Sequence, residues 1–88
     1  MPKISEFFGI EIIIRPREDS RHLPHFHAVY GDDEVSVEIR TLQVLAGKMS
    51  SRPLAMVIEW AFQHRPEIQA AWDEVQAGRK PDKIEPLR

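Results

Sequence analysis

Three of the four histidines in this 88-residue chain fall within six residues, His22-Leu23-Pro24-His25-Phe26-His27. A histidine side chain can carry a proton near neutral pH or donate a lone pair to a metal ion. His25 and His27 are two apart. On a strand that spacing projects both imidazoles from the same face, side by side. Two neutral imidazoles can then share one divalent ion such as zinc, with His22 or Glu38 as a third ligand and water completing the shell. The chemistry that would follow is metal-assisted hydrolysis, for instance of RNA or another phosphoester. Without a metal, the same pair offers acid–base or ligand contacts, or simply holds a hairpin together.

The elements that must carry these residues can be read from the pattern around them. Pro24 suits the start of a strand, and a strand is predicted over 25–30. Gly31-Asp32-Asp33 has turn chemistry, and Glu34 to Ile39 alternates polar with β-branched residues, predicting a second strand over 34–40. Any even-length loop puts Phe26, Ala28 and Tyr30 on one face with Val35, Val37 and Ile39. His25, His27 and Val29 then share the other face with Glu34, Ser36 and Glu38. This histidine face is expected to stay open or to meet a partner.

Upstream, Ile10 to Arg15 is rich in β-branched residues and predicts a strand over 9–15, with Glu11, Ile13 and Arg15 on one face. Ile4, Phe7 and Phe8 form an apolar lead-in to Gly9. Pro16 and the polar run Arg17 to Arg21 predict an exposed loop, whose arginines raise the idea of an anion-binding segment. Residues 42–45 are read as an optional fourth strand ending near Gly47.

Ser50-Ser51-Arg52-Pro53 has a hydroxyl cap and a first-turn proline, and Leu54, Val57, Ile58 and Ala61 follow at helical spacing, so a helix is predicted over 53–64. Trp60 and Phe62 fall off that stripe. Pro66 stops this helix and opens the next, over 66–77, with Ile68, Ala71, Trp72 and Val75 as its apolar face and Gly78 as its terminator. His64 suits the carbonyl end of the first helix. The stretch 79–88 is predicted to be extended, with Ile84 and Leu87 as candidates for docking on the body. The fold class expected is α+β: a three- or four-stranded antiparallel meander followed by two helices packed on one face, in a single domain.

Composition narrows the function classes. A chain of this size holds one core and a total stability of about 4–13 kcal/mol. With 12 basic against 14 acidic residues, the formal charge is −2, which gives no field for drawing in nucleic acid. There is no cysteine, which excludes disulfides and thiolate chemistry. No apolar run reaches the length of a signal segment or membrane span, so a soluble cytoplasmic protein is expected. No phosphate-binding glycine loop and no nucleophile elbow is present. Ile13, Trp60 and Phe62 are apolar residues left over from the predicted core, and they suggest contact with a small protein partner or a second copy.

Taken together, Met1 to Ser5, Phe7 to Gly9, Pro24-His25-Phe26-His27 with Tyr30-Gly31, Glu59-Trp60 with His64, and Lys83 to Leu87 resemble the domain-of-unknown-function 4160 family of small prokaryotic proteins. The resemblance spans nearly the whole chain, and Pro-His-Phe-His is its most specific part. It implies a protein of bacterial or archaeal type that works beside another small protein, in an arrangement like a toxin–antitoxin gene pair. It points again to His25 and His27 and implies no substrate.

Overall fold

The computed structural model describes residues 2–16 and 23–88. The predicted polar loop from Arg17 to Arg21, and His22 with it, lie outside the described residues. Five antiparallel strands come first, in the spatial order of the sequence: β1 (Lys3–Phe7), β2 (Ile10–Ile13), β3 (His25–Tyr30), β4 (Asp33–Glu38) and β5 (Val44–Lys48). Two helices follow, α1 (Ser51–Gln63) and α2 (Arg65–Gln76). The α+β class is as expected, but the meander has five strands rather than three or four.

The additional strand is β1, the apolar lead-in. Its apolar residues Ile4 and Phe7 are three apart, which breaks the two-residue rhythm of a strand. The structure supplies the reason: the register against β2 shifts between Lys3 and Ser5, a bulge at Ile4, so that Ile4, Ser5 and Phe7 are all buried. Phe8 and Gly9 form the turn into β2 with φ of 51° and 80°, positive at both central positions as a type I′ hairpin turn requires. β5 lies at 44–48 instead of 42–45 because a turn through Thr41 and Leu42 intervenes, closed by Leu42 N–H donating to the Glu38 carbonyl at 2.8 Å.

The parity of the central hairpin follows its two-residue loop. Tyr30 pairs with Asp33, Ala28 with Val35 and Phe26 with Val37, and Phe26, Ala28, Val35 and Val37 all enter the core. Tyr30 leaves it: at the end of the hairpin it is 40% exposed, with Gly9 behind its ring.

Both helices close the core. Val57, Trp60 and Ala61 of α1 and Ile68, Ala71 and Val75 of α2 join the strand residues in one cluster. Trp60, which falls off the helical stripe in sequence, is fully buried in it. Its ring meets Phe7 at 5.5 Å and Phe26 at 5.9 Å between centroids, and its Nε1–H donates to the Glu85 carbonyl at 2.8 Å. A buried indole needs that acceptor. Ile13 is buried too, leaving Phe62, 68% exposed, as the one apolar residue of that trio on the surface. Ser50 stands at the N-cap of α1 without the side-chain cap bond its type suggested. α2 ends as predicted: Gly78, at φ 79°, donates to the Val75 carbonyl and Arg79 N–H to that of Glu74.

The extended tail docks along β1. Ile84 N–H donates to the Ile4 carbonyl at 2.7 Å, Ser5 Oγ to the Ile84 carbonyl at 3.0 Å, and Ile84 and Leu87 are buried.

Candidate functional site

On the face of the sheet opposite the core, strand register assembles the polar residues into rows. Glu11, Val29, Glu34 and Lys48 lie across one row, Ile13, His27, Ser36 and Ala46 across the next, and His25 with Glu38 beyond. The histidines do face carboxylates. The face is not open at this point, however: His25, His27 and Glu38 are only 5%, 7% and 8% exposed. Their cover is local. Trp72 of α2 lies 5.2 Å from His25 between ring centroids, and Arg15 reaches over His27 from the end of β2.

Polar groups buried this deeply must find partners, and these do. His25 Nδ1 donates to the Leu23 carbonyl at 2.7 Å, which fixes the proton on that nitrogen. The bond spans only two residues, so Pro24 and the strand start hold the ring. Glu38 Oε1 accepts from Thr41 Oγ1 at 2.6 Å, a contact made by the same turn that redirects the chain into β5.

His27 is held differently. Its Nδ1 lies 2.9 Å from Arg15 Nη1, 3.2 Å from Ser36 Oγ and 3.2 Å from Glu34 Oε2. A guanidinium only donates, so a neutral His27 accepts at Nδ1 and keeps its proton on Nε2. A protonated His27 would instead find the Glu34 carboxylate within reach. Arg15 Nη1 is itself 3.0 Å from Glu34 Oε2, and this guanidinium, against a smaller opposing effect of partial burial, holds the Glu34 carboxyl below the ordinary glutamate range; His27 acts in the same direction.

The expected histidine pair is therefore real as geometry: the two rings meet edge to face at 5.0 Å. Among the described residues, no three histidine, aspartate or glutamate side chains gather as a ligand set. Glu38 lies opposite His25 in the register but is engaged by Thr41, and His22 is outside the described residues. The Arg15 guanidinium puts positive charge beside Nδ1 of His27. What the arrangement does chemically is tie three strands together through a partly buried polar network, with Arg15 from β2's end, His27 from β3 and Glu34 and Ser36 from β4.

Arg15, Thr41 and Trp72 are the members that sequence reasoning did not attach to the histidines. For Arg15 the signal existed, since the two-residue repeat placed it on the face of Ile13. Linking that face to His27 required the β2–β3 pairing, Ile13 opposite His27, which no local pattern encodes. His64, between the two helices and away from this cluster, bonds Glu67 Oε2 in the first turn of α2 at 2.8 Å.

No helix among the described residues is long and apolar enough to cross a membrane. No curated protein and no solved structure matches the chain. The family model described as Domain of unknown function (DUF4160) matches residues 9–73, from the turn before β2 into α2 and including the Pro-His-Phe-His strand. The chain belongs to this family.

Proposed function

We propose that the protein is an interaction module that takes up an extended strand of a small partner protein along β5, as one component of a toxin–antitoxin-like pair. The observation that supports this reading is the state of β5. All five of its residues are exposed, Val44 and Leu45 at 38% and 43%, and among the described residues no chain pairs with its outer edge. An apolar strand with neither face covered gains little from burial in the isolated chain, while its edge presents a row of backbone donors and acceptors. Strand addition would satisfy both deficits at once. Co-expression with the product of the adjacent gene, followed by affinity purification, tests this. The two proteins are expected to co-purify, and Leu45→Lys is expected to weaken the complex by about tenfold or more, since a charge would be buried in the new interface. A protein that purifies as a monomer with no companion, or a complex indifferent to Leu45→Lys, would contradict the proposal.

A metal-dependent hydrolase using His25 and His27, with His22 or Glu38 as third ligand, is the second reading, supported by the approach of the two rings. Metal content of untagged protein separates the two. Stoichiometric zinc or a similar ion, lost in the double variant His25→Ala and His27→Ala, would favour hydrolysis and call for nuclease assays. Metal far below one equivalent and unchanged by that variant ends the reading.

A further inference from the structure

At the end of the sheet where β3 begins and β4 stops, the chain leaves a recess of about 690 Å³ against the start of α2. Its size falls in the range of small-ligand pockets, which run from roughly 300 to 1,000 Å³. Leu23, Pro24, Ile39 and Pro66 give it apolar walls. The polar groups on it are Glu38, Arg40, Arg65 and Gln69.

Two features of the arginines point to an anion. Neither Arg40 nor Arg65 has a carboxylate partner among the described residues, although ion pairs engage Arg15, Arg79 and Arg88. In addition, Arg65 Nε is buried with no hydrogen-bond acceptor among the described residues, and Arg65 Cζ lies 5.2 Å from the centroid of the Phe62 ring. Leaving a buried donor unsatisfied is unfavourable, and native structures seldom do it without a reason. The two guanidinium groups bring to the recess positive charge that no carboxylate among the described residues pairs with, and an anion arriving there would balance it.

The charge of the site limits which anion fits. Two guanidinium groups against the Glu38 carboxylate leave a net of one positive charge, which balances a monoanion and would meet a dianion such as a phosphate monoester poorly. The walls ask for an apolar body behind the charged group. We propose that this recess binds a monocarboxylate with an apolar body through Arg65 and Arg40, either as a free organic acid or as the C-terminal residue of a peptide. The site lies apart from β5, and the inference does not depend on the strand-addition reading.

The test uses the full chain labelled with ¹⁵N and titrated with hexanoate, hexanamide, and a short leucine-ending peptide with a free or an amidated C-terminus. Hexanoate or the free-acid peptide is expected to shift the amide signals of Ile39, Arg40, Arg65 and Gln69 saturably, with the uncharged counterparts about tenfold weaker or more. Whichever acid binds more tightly identifies the source. Arg65→Gln and Arg40→Gln should each reduce that affinity severalfold. Arg40 is exposed and makes no bond among the described residues, so its variant keeps the test decisive if Arg65→Gln does not fold. Equal binding of acid and amide, no saturable shift with either acid, or affinity unchanged in both variants would overturn the proposal.

Discussion

The two outer strands of the sheet have the same length and opposite fates. β1, Lys3–Phe7, is buried at Ile4, Ser5 and Phe7, and its outer edge takes a backbone bond from Ile84 of the tail. β5, Val44–Lys48, contains a higher proportion of apolar residues and buries none of them. Apolar content thus does not decide which edge is covered. β1 lies where the Trp60 ring packs on Phe7 and the tail returns, whereas β5, among the described residues, is held by its ladder to β4. Its protections are those of an edge that must avoid indiscriminate pairing: a bulge between its bonds to Ser36 and Val37, and the charge of Lys48.

Removing the cover from the closed edge should have the largest effect. Deleting residues 82–88 exposes the sites of Ile84 and Leu87 and leaves Trp60 Nε1 without its acceptor. At about 1.5–3 kcal/mol for each large aliphatic side chain, urea unfolding should show a loss of about 3–6 kcal/mol, and the bared β1 edge should promote self-association on gel filtration. A truncated chain as stable and monomeric as the intact one would remove the contrast between the edges.

The next effect in size belongs to the glycine that shapes the bare edge. Gly47 has φ of 81°, and a Cβ there would lie 2.1 Å from the Glu34 carbonyl oxygen. Gly47→Ala must therefore displace β5 from β4, at a cost of about 1–3 kcal/mol or more, seen as faster amide exchange in β5. Gly9, at φ 80° in the β1–β2 turn, would set its Cβ 3.5 Å from the Tyr30 ring, an ordinary contact. Gly9→Ala should cost only the backbone strain, about 1 kcal/mol. Equal losses in the two variants would show that the close approach at β5 is not what holds its register.

Smaller still is the pH response of the polar network. Because the folded carboxyl of Glu34 titrates below its ordinary range, its contribution is fully present above the unfolded-state value of about 4.3 and is lost as pH falls through the folded value. Both side chains of the Arg15–Glu34 pair are partly solvated, so no more than about 1 kcal/mol is at stake. Unfolding midpoints measured from pH 6 down to about pH 3 should fall less steeply in Glu34→Gln than in the parent. Leu45→Lys should change stability least, within about 0.5 kcal/mol, because the side chain is already in water. A larger loss would mean that Leu45 supports the fold of the isolated chain.

How far the sequence could be read follows from how local each determinant is. The β3–β4 hairpin was legible because alternation and a two-residue loop together fix its parity, and the helices because capping residues, Pro66 and Gly78 punctuate them. β1 was hidden because a bulge disrupts the period on which strand recognition depends, and β5 was displaced by the turn through Thr41 and Leu42, which no two-residue alternation marks. The histidine pair was legible as a pair. Its burial was not, since the covering groups, Arg15 and Trp72, come from 10 residues before His25 and 47 after it.

By itself, then, the sequence determined the α+β class, the hairpin that presents His25 and His27 toward carboxylates, and the two helices, because each rests on spacing within one element or across one tight turn. The tertiary structure alone decided that Trp60 is core and Phe62 surface, that one sheet edge is covered by the tail while the other is bare among the described residues, and that Arg40 and Arg65, which pair with no carboxylate among those residues, line one recess. Those outcomes depend on where the tail and α2 come to rest against strands far away in the chain, and a pattern local to any one segment carries no record of that.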